Sequence, residues 1–450
     1  MSFTSQRSAS TRNGLAASET RAPLGYAMAA LNKLAQSDLL DRAGLRKQTE
    51  QLVYSATRSG FRTAAAAGRA FTRRGSKKPG TRSVTTDPSG VFDLTPTEDQ
   101  QMLVDVVGEF AVEVLGPRAH AADEACATDE PVLVGATEIG VPLLGVPEAL
   151  GGISAERSAV TTVLVAEALA RTDMGQALAV LAPGAVATAI SLWGDDEQQQ
   201  TYLPAFTSAR PPTASLALAE PRVLFDALAP TTVAVRTVDG FSVTGTKSGV
   251  VRGEQCELFV VGALLDGRPA LFLVPGDPDT VQVEADPSMG VRAAGLTRVS
   301  FEGSRAELLG DTAAEAYAEC VRLSRLGWCA LAVGTSQAVL DYVKEYVKTR
   351  EAFGEPIAHR QSVAFTVADM AIEVEAMRLT AWRAAARADA GNEFGREVGL
   401  ARSLCAQKAM RIGLDGVQLL GGHGYVKEHP VERWYRDLRA VSVMEGGVLV

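Results

Sequence analysis

A chain of 450 residues exceeds what one hydrophobic core organises, so two to four domains or layers are expected. Its 46% hydrophobic and 22% charged content is that of a soluble globular protein, which excludes collagenous, low-complexity and disulfide-scaffold classes. The net charge of −9 hides an asymmetry: residues 1–90 hold 15 basic and 5 acidic side chains, while the remainder is strongly acidic. Five cysteines lie scattered with no CxxC pair, which fits buried thiols in a reducing compartment. Four dispersed histidines and no HExxH give no metal site.

Residues 1–22 are rich in Ser, Thr and Arg and lack the apolar stretch of a secretory signal. They read as a disordered N-terminus or, in a eukaryote, a mitochondrial transit segment. From Tyr26 to Phe71 apolar residues recur at helical spacing and basic ones follow. Such a basic amphipathic arm fits an anionic membrane surface, a partner subunit or the acidic body itself. Lys77 to Gly90 reads as a linker. The expected location is cytoplasmic and peripheral to the inner membrane, or the mitochondrial matrix in a eukaryote.

Residues 91–213 read as a helical domain. Thr95 with Glu98 is the expected N-cap of its first helix. Gly140 to Gly152 is rich in turns. Met174 to Gly194 is uncharged and long enough to cross a membrane, but Pro183 and Gly184 interrupt it, so two short buried helices are expected. Residues 214–310 switch to β-branched residues at period two, with a hairpin around Asp239-Gly240 and strands at Leu258–Leu264 and Ala270–Val274. Gly240 to Ser248 nearly spells a P-loop, but the lysine is one residue out of place and strands flank it, so triphosphate binding is rejected. Residues 311–450 carry long amphipathic patterns, read as an antiparallel helical bundle.

The last 33 residues, QLLGGHGYVKEHPVERWYRDLRAVSVMEGGVLV, concentrate the chemistry. Glu445 stands alone among Val443, Met444, Gly446 and Val448. An acid in apolar surroundings gains proton affinity and can serve as a base toward carbon. Gly422 and Gly424 let backbone approach a ligand closely, and Gln418 presents an amide beside them.

This stretch resembles the C-terminal end of the acyl-CoA dehydrogenases. The family pattern of Gln, Gly-x-Gly-Tyr, Pro-Val-Glu-Arg, Arg-Asp and Glu-Gly is met by Gln418, Gly422, Gly424, Tyr425, Pro430 to Arg433, Arg436, Asp437, Glu445 and Gly446. The resemblance covers residues 92–450. It implies a mainly α fold with a central β domain: an N-terminal helical domain, a middle β-barrel and a C-terminal four-helix bundle. It also implies FAD as cofactor, an acyl-CoA substrate, an electron-transfer flavoprotein as electron acceptor and a homodimer or homotetramer; no nucleic-acid partner is expected. Glu445 matches the base that removes the α-proton, and Arg325 an arginine beside it; Ser324 stands where some members carry the base instead. Gly446 falls on the substrate side. Arg350, Phe353 and Gln361 match residues that reach a neighbouring subunit's dinucleotide, with Gln418 and Gly422 contacting the same cofactor from across the dimer. Taken alone, Arg350 could simply pair with Glu351 or Glu355 on a solvated helix.

Three motifs depart from the pattern. Thr-Glu-Pro reads Ala219-Glu220-Pro221, Gly-Ser-Asp reads Leu224-Phe225-Asp226, and Lys-x-Trp-Ile-Thr reads Lys247-Ser248-Gly249-Val250-Val251. The resemblance assigns all of these to the flavin ring. A second expectation therefore stands beside the first: a catalytically weakened paralogue that scaffolds a partner subunit.

Overall fold

The structure, a computed structural model, describes residues 94–153, 157–310 and 313–450. The basic arm, its helical pattern over Tyr26–Phe71 and the linker lie outside the described residues.

Six helices form the first layer: α1 (Glu98–Phe110), α2 (Ala119–Ala125), α3 (Glu130–Glu138), α4 (Ala159–Ala170), α5 (Met174–Trp193) and α6 (Asp196–Phe206). The start of α1 corrects the expected cap. Thr97, not Thr95, closes a capping box, its hydroxyl accepting from Gln100 N at 3.2 Å while Gln100 Oε1 accepts from Thr97 N at 3.0 Å. The segment expected as two short helices is one helix, α5, with Pro183 inside it. Proline removes a single hydrogen bond. Burial around nearly the whole of α5 outweighs that loss: 89% of its most apolar window is packed inside the protein.

The middle layer is a barrel of β1 (Ala214–Ala217), β2 (Val233–Thr237), β3 (Gly240–Val251), β4 (Leu258–Leu265), β5 (Arg268–Pro275), β6 (Val281–Ala285) and β7 (Leu296–Leu308). Strands run β4–β2–β3–β7–β5, and β5 pairs back onto β4, so the sheet closes. Closure leaves no open ring edge to aggregate. β1 joins β4 in parallel and β6 joins β7. In the β2–β3 hairpin Thr237 pairs with Gly240, so Val238 and Asp239 make the turn rather than Asp239-Gly240. Phe259, Phe272 and Phe301 fill the interior.

The third layer is α7 (Ala313–Thr349), a small hairpin of β8 (Glu351–Ala352) and β9 (Glu355–Pro356), then α8 (Gln361–Asp389), α9 (Gly395–Leu420) and α10 (Val431–Leu438). The bundle therefore has three long helices and one two-turn helix. One continuous apolar core runs from Val107 on α1 to Val450, with a separate cluster inside the barrel.

Candidate active site and dinucleotide cleft

Charged contacts clamp α10 to the other two layers. Arg436 binds Asp123 of α2 through two 2.9 Å bonds, Arg433 lies 3.0 Å from Asp173 at the cap of α5, and Asp437 accepts from Val291 N before β7 at 2.6 Å. The Pro-Val-Glu-Arg and Arg-Asp motifs thus fix where the chain leaves α10. Burial, with the nearby Asp173 charge, pushes the Asp437 carboxyl up to about 7.

Beyond α10 the chain turns through Ala440–Ser442 and delivers Glu445 between barrel and bundle. Its side chain is 9% exposed, and the expectation of purely apolar surroundings is corrected here. Arg325 of α7 donates from Nε to both carboxylate oxygens at 2.9 and 3.0 Å and from Nη2 at 2.8 Å. Arg402 of α9 stands 3.7 Å away and donates to Met444 O at 2.8 Å. A buried carboxylate needs such partners. The sequence neighbours of Glu445 gave no sign of them, because both arginines come from distant helices.

Gly446 is anchored at both polar atoms. Its N–H donates to Ser324 Oγ at 2.9 Å, and its carbonyl accepts from Trp328 Nε1 at 2.9 Å. Gly446 and Gly447 have φ of 77° and 75°, a conformation that favours glycine. Ser324 therefore shapes this loop. Arg402, Trp328 and Met444 were missed in the sequence. Buried side chains on long helices carry no local signal, and Met444 reads as one more apolar residue.

In the barrel wall, Lys247 of β3 is fully buried, 3.0 Å from Glu220. Burial pulls its ammonium down to about 8. Burial also raises the Glu220 carboxyl, but Lys247 and the Thr231 and Thr232 donors override it and hold it at about 2. Two residues on, Gly249 has φ 61°, and a Cβ built there would stand 2.8 Å from Met444 Cε and 3.3 Å from its sulfur. Met444 thus fills the space beside the missing indole.

A second site lies at the far end of α7. A cleft of about 430 Å³ is lined by Tyr346, Arg350, Gln418, Gly422 and His423, with Ile357. Three of the expected cofactor residues, Arg350, Gln418 and Gly422, therefore meet. Arg350 makes no ion pair with Glu351 or Glu355; Glu355 sits instead 3.6 Å from Arg360. Phe353 and Gln361 do not line the cleft. Phe353 is 94% exposed at φ 59°, with the Arg360 guanidinium 5.2 Å from its ring, and Gln361 is exposed at the start of α8.

A guanidinium with no ion pair among the described residues, beside glycine backbone, suits a diphosphate, so this cleft fits the adenosine diphosphate half of FAD. The ring of a chain's own FAD would face Glu445 and β3, where the flexible thioether of Met444 comes within 2.8 Å of a Cβ built at Gly249.

A closed barrel between two helical layers, with a buried carboxylate at their junction and a diphosphate-type cleft beyond it, defines the scaffold of a flavin-dependent dehydrogenase. The chain matches three family models: acyl-CoA dehydrogenase N-terminal domain over residues 97–210, middle domain over 215–304 and C-terminal domain over 315–447. It is 32% identical over 364 residues to a cyclohex-1-ene-1-carbonyl-CoA dehydrogenase of Geobacter metallireducens, covering 78% of this chain and 95% of that one. It is 30% identical to the mitochondrial short-chain specific acyl-CoA dehydrogenase of Mus musculus, covering 78% and 87%. Among solved structures, one described under the electron transferring flavoprotein of Acidaminococcus fermentans superposes with TM-score 0.73 at 28% identity, covering 78% of this chain and 95% of that one. Butyryl-CoA dehydrogenase of Megasphaera elsdenii shares the fold, with TM-score 0.73 at 24% identity over 78% and 95%. The protein belongs to the acyl-CoA dehydrogenase family, oxidoreductases that depend on FAD.

Proposed function

We propose that the protein catalyses α,β-dehydrogenation of an acyl-CoA thioester with FAD and passes the electrons to an electron-transfer flavoprotein. The observation that carries this is Glu445, a buried carboxylate held at the junction of barrel and bundle by Arg325. Bound FAD supplies the two-electron acceptor for the hydride leaving the β-carbon. Glu445 Oε takes the α-proton, so the thioester loses one proton and one hydride and becomes the enoyl product. Arg325 and Arg402 orient the carboxylate. The Glu445 backbone N–H would donate to the thioester oxygen and stabilise the charge that develops on it. Gly446, tied to Ser324 and Trp328, fixes that N–H in place.

Arg350, Phe353 and Gln361, with Gln418 and Gly422, bind the adenosine diphosphate half of a neighbouring copy's FAD, which makes the working enzyme a homo-oligomer. Exposed Phe365, Ile372 and Leu379 support this: they repeat every seven residues along α8, at 62%, 66% and 47% exposure. The acceptor is supported by the electron transferring flavoprotein named with one neighbour structure. The basic arm, outside the described residues, would give peripheral membrane contact.

The test is α-proton exchange of a bound thioester in deuterated buffer. Wild type is expected to exchange and Glu445→Gln is not, with flavin retained in both; equal exchange would remove Glu445 as the base. A second reading, a scaffold paralogue, is favoured by Gly249, Val251 and Phe225 and by Met444 packed against Gly249. Colourless protein that FAD cannot reconstitute would select it.

A further inference from the structure

A further cavity, of about 470 Å³, shares no lining residue with the Glu445 loop or with the Arg350 cleft. Leu133 and Val134 of α3, Pro142, and Val180 and Pro183 of α5 give it an apolar floor. Its charged groups are Glu130 at the start of α3, Arg210 before β1, Arg252 after β3 and Glu257 before β4. A concave apolar site of this size with few polar groups is the common form of a small-molecule site.

Arg252 is its unusual member. The side chain is half-buried, and its partner among the described residues is neutral: Gln255 Oε1 accepts from Nε at 3.0 Å and from Nη2 at 2.7 Å. Burial pulls the guanidinium below the usual arginine range, against Cys256 and Glu130. Burial also pushes the Cys256 thiol up to about 12, so it is neutral at ordinary pH and supplies no counter-charge. A half-buried cation without a paired anion costs free energy that a bound anion would return. The backbone is strained as well. At Arg252 φ is 51°, a region costly to a residue with a Cβ and concentrated at ligand sites. Its N–H, donating to Gly295 O at 2.9 Å, and the two bonds to Gln255 hold it there.

We propose that this cavity binds an apolar monocarboxylate, a free fatty acid, with its carboxylate on the Arg252 guanidinium and its chain against α3 and α5. Nη1 and the second hydrogen of Nη2 remain to donate to one carboxylate. The other charged groups narrow the class. Glu257 Oε1 already accepts from Thr213 N at 3.2 Å, and Glu130 stands in the first turn of α3, where the helix dipole favours it. Both acids repel a dianionic phosphate more than a single carboxylate. Arg210 is exposed, so solvent screens it.

The experiment titrates the full chain by calorimetry with octanoate and, separately, with octanol, which keeps the chain without the charge. Octanoate is expected to bind about tenfold more tightly than octanol, the scale of one hydrogen-bonded contact to a charged group. Arg252→Gln is expected to remove that advantage and to leave octanol unchanged. Arg252→Lys, which keeps the charge but not the planar fork, is expected to retain part of it and guards against misfolding of the glutamine variant. Val134→Trp fills the cavity from a position that is 45% exposed, and is expected to weaken both ligands. Octanoate affinity unchanged in Arg252→Gln and in Val134→Trp would put the acid elsewhere, the Glu445 site included, and overturn the proposal. A loss in Val134→Trp alone would mean an apolar cavity without carboxylate recognition and would overturn it equally, as would wild-type protein that binds no octanoate.

Discussion

Three guanidinium contacts to one carboxylate set the character of Glu445. Glu445→Gln keeps the shape of the site but cannot take a proton. Turnover is expected to fall at least a hundredfold, the usual weight of a general base, with flavin content and melting temperature near wild type. Arg325→Ala leaves a buried acid without its bidentate partner. The expected loss is ~2–3 kcal/mol of stability, at the low end for buried pairs because Arg325 is 29% exposed, and it would be read by urea unfolding. Glu445 was legible in the sequence because its motif is local and its spacing rigid. Its partners were not: Arg325 is 120 residues upstream on α7, and Arg402 contacts a residue 42 positions away. A lone acid among apolar neighbours therefore looked like a hydrophobic pocket, whereas the fold makes it an ion pair.

At the level of elements, the terminal loop depends on how α10 is clamped and on what β3 presents to it. Asp437 gives the clamp a pH dependence. Its carboxyl is raised from 3.8 to about 7, by burial first and then by Asp173, against the Val291 N–H and Arg433. A raised acid contributes its full stability below its ordinary value and loses it as pH rises to the folded value. The melting temperature is thus expected to carry a falling component between about pH 4 and pH 7. Asp437→Asn keeps an oxygen for Val291 N–H and is expected to flatten that component. On β3, Gly249→Ala meets both a positive φ and Met444 Cε at 2.8 Å, so a loss of about 1–3 kcal/mol is expected by thermal denaturation. The elements themselves were readable from periodicity: the strands at Leu258 and Ala270 and the three long bundle helices stand where the patterns put them. The failures came where packing outranks local rules. Pro183 suggested a break that the interior of the protein suppresses, and the hairpin turn moved one residue because the pairing Thr237–Gly240 decides it.

Across the whole molecule, the order helices, barrel, helices was visible as a change of period from 3.6 to 2 and back. What sequence could not supply was adjacency. The cleft joins Arg350 to Gln418 and Gly422 from opposite ends of the bundle segment, while Phe353 and Gln361, closer in sequence to Arg350, stay on the surface. In the proposed oligomer both sets would reach the FAD of a neighbouring copy. Phe365→Asp with Ile372→Asp is expected to shift the protein to monomer by light scattering and to weaken FAD binding with it. The most direct measurement is the visible spectrum of the FAD-bound protein under anaerobic conditions, before and after addition of a panel of acyl-CoAs. The expected result is bleaching of the flavin band by at least one thioester in wild type and by none in Glu445→Gln. A flavin band that every acyl-CoA leaves intact in the wild-type protein would contradict dehydrogenation at this site.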